Sequence, residues 1–178
     1  LARPPGWPLN PALKWPLALM VSAALFALGV YIYQREFAET LTISRSITKD
    51  TVWRSDREYI LANKVFVERG AMLRIEPGTQ IKGQPGTALI ITREAHLDAR
   101  GTAQRPIVFS SAQPKGQRRP GDWGGVVLLG NAPVNTSLGR IEGLDENDLR
   151  GSFGGLEAAD SCGSLEYVRI EFAGHEIA

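Results

Sequence analysis

From about Ile43 onward, the sequence consists of short apolar runs separated by glycine, proline and asparagine. No stretch of this part shows the apolar period of about 3.6 residues that marks an amphipathic helix. Runs of about four to eight residues between turn signals are typical of β-strands, so this part is predicted to be all-β. The predicted strands are Tyr59–Leu61, Val65–Glu68, Met72–Ile75, Gln80–Lys82, Ala88–Thr92, His96–Ala99, Ile107–Ser110, Val126–Leu129 and Leu165–Phe172.

Two neighbouring segments resemble each other, and this repeat constrains how the strands are arranged. An alignment with an offset of 24 residues places Val67 on Ile91 and Leu73 on Leu97. A period in the twenties is typical of a solenoid, in which each coil adds one short strand to each of several parallel sheets. We therefore expect the two aligned pairs to stack inside a parallel β-helix.

Four longer runs carry a resemblance to a known family. They are Val65–Thr79, Pro106–Ala112, Pro120–Asn135 and Leu165–Gly174. The most specific parts are Gly-Asp-Trp-Gly-Gly at 121–125 and Tyr-Val-Arg-Ile-Glu-Phe-Ala-Gly at 167–174. In this order the runs resemble a family of exported bacterial right-handed parallel β-helix proteins. The resemblance implies the fold and export, and it implies no reaction.

The N-terminal part is of a different kind, because residues 15–33 contain no charged side chain. At about 1.5 Å rise per residue they would form roughly 28 Å of helix, close to the thickness of a bilayer core of about 30 Å. Aromatic residues stand at both ends, where they are typical of membrane interfaces, namely Trp15, Tyr31 and Tyr33. The segment predicts one transmembrane α-helix ahead of the β-helix.

The expected organisation is a proline-rich tail at 1–14, a transmembrane helix at 15–35, a linker at 36–48 and a β-helix domain at 49–178. Small residues around Ala27 also fit a signal-peptidase site, so a cleaved signal peptide is the alternative to an anchor. Lysine and arginine counts on the two sides are nearly balanced. The implied export therefore sets the orientation, with the N-terminus cytoplasmic and the β-helix periplasmic or extracellular, at a bacterial membrane.

The helix and the tail are also the expected contacts with a partner. Ala23 and Ala27 are four residues apart, a spacing that allows close helix approach, although alanine is common in membrane helices in any case. The proline-rich tail cannot form a core of its own. The predicted partner-binding residues are Trp7, Trp15, Ala23, Ala27, Tyr31 and Tyr33.

Few residues suggest chemistry. Polysaccharide lyases and hydrolases also use β-helices, and glycoside hydrolysis needs two carboxylates held a fixed distance apart. Asp98 and Asp122 lie in or beside strands without an obvious acidic partner, and His96 and His175 are far apart. No Gly-x-Ser-x-Gly elbow supports a serine nucleophile. We expect no catalytic residue, no cofactor and no small-molecule substrate.

An acidic loop is the one candidate for a cation site. Its carboxylates are Glu142, Asp145, Glu146 and Asp148. Oxygen ligands suit Ca²⁺, but the spacing of an EF-hand is absent, as is the nonapeptide repeat of calcium β-rolls. We interpret the loop as a solvated insertion and expect no metal. Cys162 is the single cysteine, so it cannot form an internal disulfide.

Three residues are possible surface contacts, namely Trp123, Arg118 and Arg119. The glycines around Trp123 suit a tight corner with the indole packed over the coil, and a platform for a sugar ring is the alternative. The two arginines, with Lys115, could contact lipid headgroups or form a plain solvated loop. A net charge of +1 excludes bulk nucleic-acid binding.

These observations predict a non-enzymatic accessory subunit that docks on a larger membrane complex, with other subunits and the lipid bilayer as partners. By analogy, the complex could be an energy-transducing assembly, photosynthetic or respiratory. No helix or charged cap follows Phe172, so we expect either further coils or a partner over the open end. The alternative is a membrane-anchored glycan-binding module, which predicts a row of exposed aromatic residues that includes Trp53 and Trp123.

Overall fold

The structure is a computed structural model, and it describes residues 19–30, 39–136, 139–145 and 147–175. The chain divides into two compact units, Leu1–Ala38 and Glu39–Ala178. In the first unit, residues 19–30 form helix α1, which is exposed along its length. Among the described residues, no helix has the length and apolarity needed to cross a membrane. Both ends of the transmembrane helix predicted for 15–35 lie outside the described residues.

The second unit is built from short strands, fourteen of them within the described ranges. They are β1 (Glu39–Ile43), β2 (Thr51–Trp53), β3 (Arg57–Leu61), β4 (Lys64–Val67), β5 (Met72–Ile75), β6 (Gln80–Gly83), β7 (Ala88–Ile91), β8 (His96–Arg100), β9 (Ile107–Ser111), β10 (Gly125–Leu128), β11 (Gly139–Arg140), β12 (Ser152–Phe153), β13 (Gly163–Glu166) and β14 (Val168–Ile170). A 3₁₀ turn at Leu149–Gly151 precedes β12.

Three parallel sheets stack the successive coils. Sheet 1 has the order β1-β3-β6-β9-β14, sheet 2 the order β10-β7-β4, and sheet 3 the order β13-β8-β5-β2. The chain visits sheets 1, 2 and 3 in turn and then returns to sheet 1, one coil further along. This is the arrangement of a parallel β-helix, as the sequence predicted. Its right-handed sense stays a prediction.

The predicted repeat sets the strand register. Val67 pairs with Ile91, and Leu73 pairs with Leu97. All four side chains are buried and belong to one interior cluster that runs through the coils. Fully burying an aliphatic side chain of this size stabilises a fold by about 1.5–3 kcal/mol. The stacked rows are therefore the main stabilising feature of the β-helix.

The segment predicted as one strand, Leu165–Phe172, is in fact two strands on different sheets. β13 pairs with β8 on sheet 3, and β14 pairs with β9 on sheet 1. The corner between them is Tyr167, which has a φ of 47°. A non-glycine residue in this left-handed region is uncommon, so the sequence carries no turn signal at this corner. β1 likewise lies within the residues predicted as a linker.

Residues 129–162 form an insertion between β10 and β13. Strands β11 and β12 pair antiparallel within it. The insertion packs on the outer face of sheet 2 and forms a second apolar cluster with it, comprising Phe66, Ala88, Ile90, Leu129, Val127, Ile141, Leu144 and Phe153. Sheet 2 is therefore covered on both faces, whereas sheets 1 and 3 carry polar rows on their outer faces.

Candidate functional site

The Gly-Asp-Trp-Gly-Gly run places an indole inside the coil. Trp123 is fully buried, and its ring stacks on Phe109 with 6.4 Å between ring centroids. Its Nε1–H donates a hydrogen bond of 2.9 Å to the backbone carbonyl of Glu171. A Cβ at Gly83 would lie only 2.6 Å from the indole, so the glycine leaves the space that this ring fills. The packing role predicted for Trp123 is confirmed.

The surface contact predicted for Trp123 is therefore not available. Trp53, the second aromatic candidate for sugar stacking, is also buried and stacks on Tyr59 at 4.8 Å between centroids. Burial removes both ring faces from solvent, so neither indole can serve as a platform for a sugar ring. Any ligand of the β-helix would have to be held by polar groups on its outer faces.

The loop that precedes Trp123 is organised by Asp122. Its Oδ2 accepts hydrogen bonds from Ser111 Oγ at 2.5 Å and from the Arg119 backbone N–H at 3.0 Å. The hydrogen bond from Ser111 first, and that from Arg119 second, hold the pKa of the Asp122 carboxyl below its usual value. Asp122 therefore stays ionised and fixes the path of the loop.

Arg118 is turned toward the sheet rather than into solvent. Its Nε donates to the Gln113 carbonyl at 3.0 Å, and its Nη1 donates to Ser110 Oγ at 3.2 Å. Ser110 Oγ in turn donates to Glu171 Oε2 at 3.3 Å. Arg118 thus joins a polar row on sheet 1, and its guanidinium is engaged there.

The outer face of sheet 1 carries paired charges along the same row. Lys82 Nζ lies 2.6 Å from Glu58 Oε2, and both side chains are about three quarters buried. Lys82 is in register with Ser110 on the next strand. The row therefore runs from Glu58 through Lys82 and Ser110 to Glu171, with Arg118 beside it.

The outer face of sheet 3 carries a second row, centred on Asp98. Arg74 Nε lies 3.1 Å from Asp98 Oδ2, and Arg100 Nε lies 3.2 Å from Asp98 Oδ1. The Oδ1 atom is buried without a hydrogen bond, so the contact with Arg100 is electrostatic rather than directional. Arg100 also reaches Glu166, at 3.4 Å. Both arginines remain largely exposed to solvent.

The acidic loop is pinned to sheet 2 through Arg150. Arg150 lies 4.0 Å above the ring of Phe66, and its Nη2 pairs with Asp148 Oδ2 at 2.6 Å. The hydrogen bond with Arg150 lowers the pKa of Asp148, and the same contact raises the pKa of Arg150. Across the described ranges no three potential ligands group around a cation site, and Glu146 lies outside those ranges. The absence of a metal stays a prediction.

The remaining candidates are scattered. His96 is exposed on β8 of sheet 3, whereas His175 Nδ1 lies 3.1 Å from the carbonyl of Gly121. Burial raises the pKa of the Cys162 thiol, which favours its protonated, unreactive form. Ala23 and Ala27 lie on α1 and are exposed. Of the other predicted partner contacts, those outside the described residues are Trp7, Trp15, Tyr31 and Tyr33.

Sequence reasoning missed the two charged rows. The signal was present for sheet 3, since the same offset that aligns Leu73 with Leu97 also aligns Arg74 with Asp98. For sheet 1 the offset between Glu58 and Gln80 is shorter. The coils differ in length at their corners, so one fixed period could not align both rows.

Three stacked parallel sheets around a continuous apolar interior define the chain as a parallel β-helix protein. Residues 45–178 match the family described as the pectate-lyase-like β-helix domain. The match covers well over half of the chain, and the chain belongs to this family. No curated protein and no solved structure matches it significantly.

Proposed function

We propose that this chain is a non-catalytic β-helix scaffold that docks on a larger membrane complex and stabilises it. The observation that carries the proposal is the apolar surface of α1. Its largest side chains are exposed, Phe26 to 75%, and Met20 and Leu25 to a similar degree. Apolar surface of this kind is normally covered by lipid or by another protein. α1 lies within the uncharged run 15–33, which supports a membrane location.

The charges of the β-helix support a scaffold. The carboxylates of the two outer rows contact basic or hydroxyl groups of the same rows, as with Glu58 and Lys82. A general acid or base usually has a pKa displaced toward neutrality. The carboxyls of Asp122 and Asp148 have lowered pKa values instead, and each holds a loop in place.

The proposed location follows from the export that the family resemblance implies. The N-terminus would be cytoplasmic, and the β-helix would be periplasmic or extracellular. The partners would be lipid and the other subunits of the complex. An energy-transducing complex, photosynthetic or respiratory, remains the candidate by analogy.

The test is to extract the protein from its own membranes in mild detergent, measure its native mass and identify the chains that co-purify. We expect a large stoichiometric complex. Replacing Phe26 by Asp should release the chain from it, because the apolar surface of α1 would be interrupted. Leu156→Asp is the matched control, since Leu156 is 91% exposed on the β-helix insertion. A lone chain of its own mass would contradict the proposal.

A second candidate is a module that binds an acidic polysaccharide along sheet 3. The family description refers to pectate, which is a polymer of uronic acids. Arg74 and Arg100 flank Asp98 on an open sheet face, and guanidinium groups suit carboxylates. This candidate predicts that the purified chain is stable alone and binds polygalacturonate in a salt-sensitive way. Arg74→Ala with Arg100→Ala should abolish that binding, whereas Arg69→Ala should not.

A further inference from the structure

The last coil of the β-helix leaves one side uncovered. Among the described residues, β14 pairs with β9 alone, and β13 pairs with β8 alone. Ile170 is in register with Phe109 on an inward-facing row, yet Ile170 is 46% exposed whereas Phe109 is fully buried. Interior side chains therefore meet solvent at this end, beside strand edges with unpaired backbone groups.

The backbone of β14 shows which groups face the open edge. The N–H of Ile107 donates to the carbonyl of Tyr167 at 3.1 Å, and the N–H of Glu171 donates to the carbonyl of Phe109 at 2.9 Å. In a parallel pair, alternate residues direct both backbone groups to the same neighbour. Tyr167 and Glu171 therefore face β9, as does the residue midway between them, and Ile170 directs its N–H and C=O outward.

The charges beside Ile170 are self-complementary. Arg169 and Glu171 flank it on the outer face and form an ion pair with each other. If a second copy pairs antiparallel with Ile170 opposite Ile170, each Arg169 stands opposite Glu171 of the other copy. Ile170 then occupies a hydrogen-bonded antiparallel position, which is what its backbone direction requires. Centring the pairing on Arg169 instead would oppose like charges.

We propose that two copies of this chain associate through their β14 edges, antiparallel and centred on Ile170. The pairing covers the exposed interior side chains and satisfies the outward backbone groups of both copies. It exchanges an ion pair within each chain for two between chains. A two-fold arrangement closes on itself, which is the commonest symmetry of soluble oligomers. The association is independent of the membrane docking proposed above.

Charge reversal tests the pairing on the full chain in mild detergent, with mass measured by analytical ultracentrifugation. We expect the wild type to dimerise, and Arg169→Glu alone or Glu171→Arg alone to lose the dimer, because each variant opposes like charges. An equimolar mixture of the two variants should form a heterodimer, since opposite charges then face each other again. Near-UV circular dichroism of Trp123, whose indole bonds the Glu171 backbone, shows that each variant is folded.

A cross-link gives a second readout of the same geometry. Hydrogen-bonded antiparallel partners have Cα atoms about 5.5 Å apart, within the range of a disulfide. In a Cys162→Ser background, Ile170→Cys should form a disulfide-linked dimer, and Val52→Cys on β2 should not. A monomeric wild type would overturn the proposal. So would a dimer that survives both charge reversals, as expected if α1 mediates association, or a mixture that stays monomeric.

Discussion

At Gly83 the interior of the β-helix has no room for a side chain. The Cβ of an alanine would lie 2.6 Å from the indole of Trp123, a ring held on its other sides by Phe109 and by its hydrogen bond to Glu171. We expect Gly83→Ala to lower the free energy of unfolding by about 1–3 kcal/mol, as overpacking of a core does. Denaturant unfolding followed by tryptophan fluorescence measures the change.

The control for this prediction removes the ring. In a Trp123→Leu background the smaller side chain leaves space, so the additional cost of Gly83→Ala should become smaller or vanish. Equal costs in both backgrounds would show that the close approach of Gly83 and Trp123 does not limit the packing.

Asp122 gives a prediction with a defined pH dependence. Its pKa is lowered in the folded chain, chiefly by the hydrogen bond from Ser111. A carboxyl whose pKa is lower in the folded state stabilises the fold above its unfolded pKa of about 3.9, and this contribution is lost as pH falls through the folded value. Asp122→Asn should therefore be less stable than wild type at neutral pH, and the difference should shrink below about pH 4. Urea unfolding at several pH values measures it.

An exposed aspartate provides the comparison. Asp56 is largely exposed and approaches Arg57 only at 3.8 Å. Asp56→Asn should leave stability nearly unchanged at every pH, because exposed ion pairs contribute little. A difference between Asp122→Asn and wild type that is constant with pH would mean that ionisation of Asp122 is not what holds the loop.

Among the elements, the insertion depends on a single arginine for much of its attachment. Arg150 contacts the Phe66 ring at 4.0 Å, Asp148 at 2.6 Å and Glu68 at 3.6 Å. A cation over an aromatic face contributes about 0.5–1 kcal/mol at an exposed site. We expect Arg150→Ala to loosen the insertion while the stacked sheets stay folded. Hydrogen exchange should accelerate in residues 139–155 and remain slow in β7.

Arg150→Lys is the matched variant. It keeps the charge but loses the planar group that stacks on Phe66 and pairs with Asp148 through two nitrogens. Its exchange rates should lie between those of wild type and Arg150→Ala. Unchanged exchange in both variants would show that apolar packing alone holds the insertion.

The strands that could be predicted from sequence are those bounded by recognisable turns. Met72–Ile75 has its predicted limits, because Gly70 and Gly78, both with positive φ, punctuate it. The corner at Tyr167 was missed because no glycine or proline marks it. The pairing of Ser111 with Asp122 was missed because hydrogen bonds across an irregular loop follow no period.

For the molecule as a whole, the sequence predicts the solenoid better than its surface. A repeated apolar row is visible in one chain, since interior positions recur with each coil. The charged rows depend on strand register, which changes wherever a corner changes length. Function depends on these rows and on α1, so it could be narrowed from sequence only to a class of role.

Stability along one interior row should depend on position in the stack. Ile81 and Ile170 lie on the same row, each in register with Phe109 between them, but Ile81 is buried and Ile170 is exposed at the open end. Ile81→Ala should lower the free energy of unfolding by about 2–5 kcal/mol, the usual cost of truncating a buried isoleucine. Ile170→Ala should cost much less in dilute monomer, because few interior contacts are lost there. At concentrations where β14 edges pair, the cost at Ile170 should rise, since the second copy then buries this side chain and adds its association to the measured stability. Thermal unfolding of both variants over a range of protein concentrations checks this, and equal, concentration-independent costs would show that the end of the stack is as well packed as its middle.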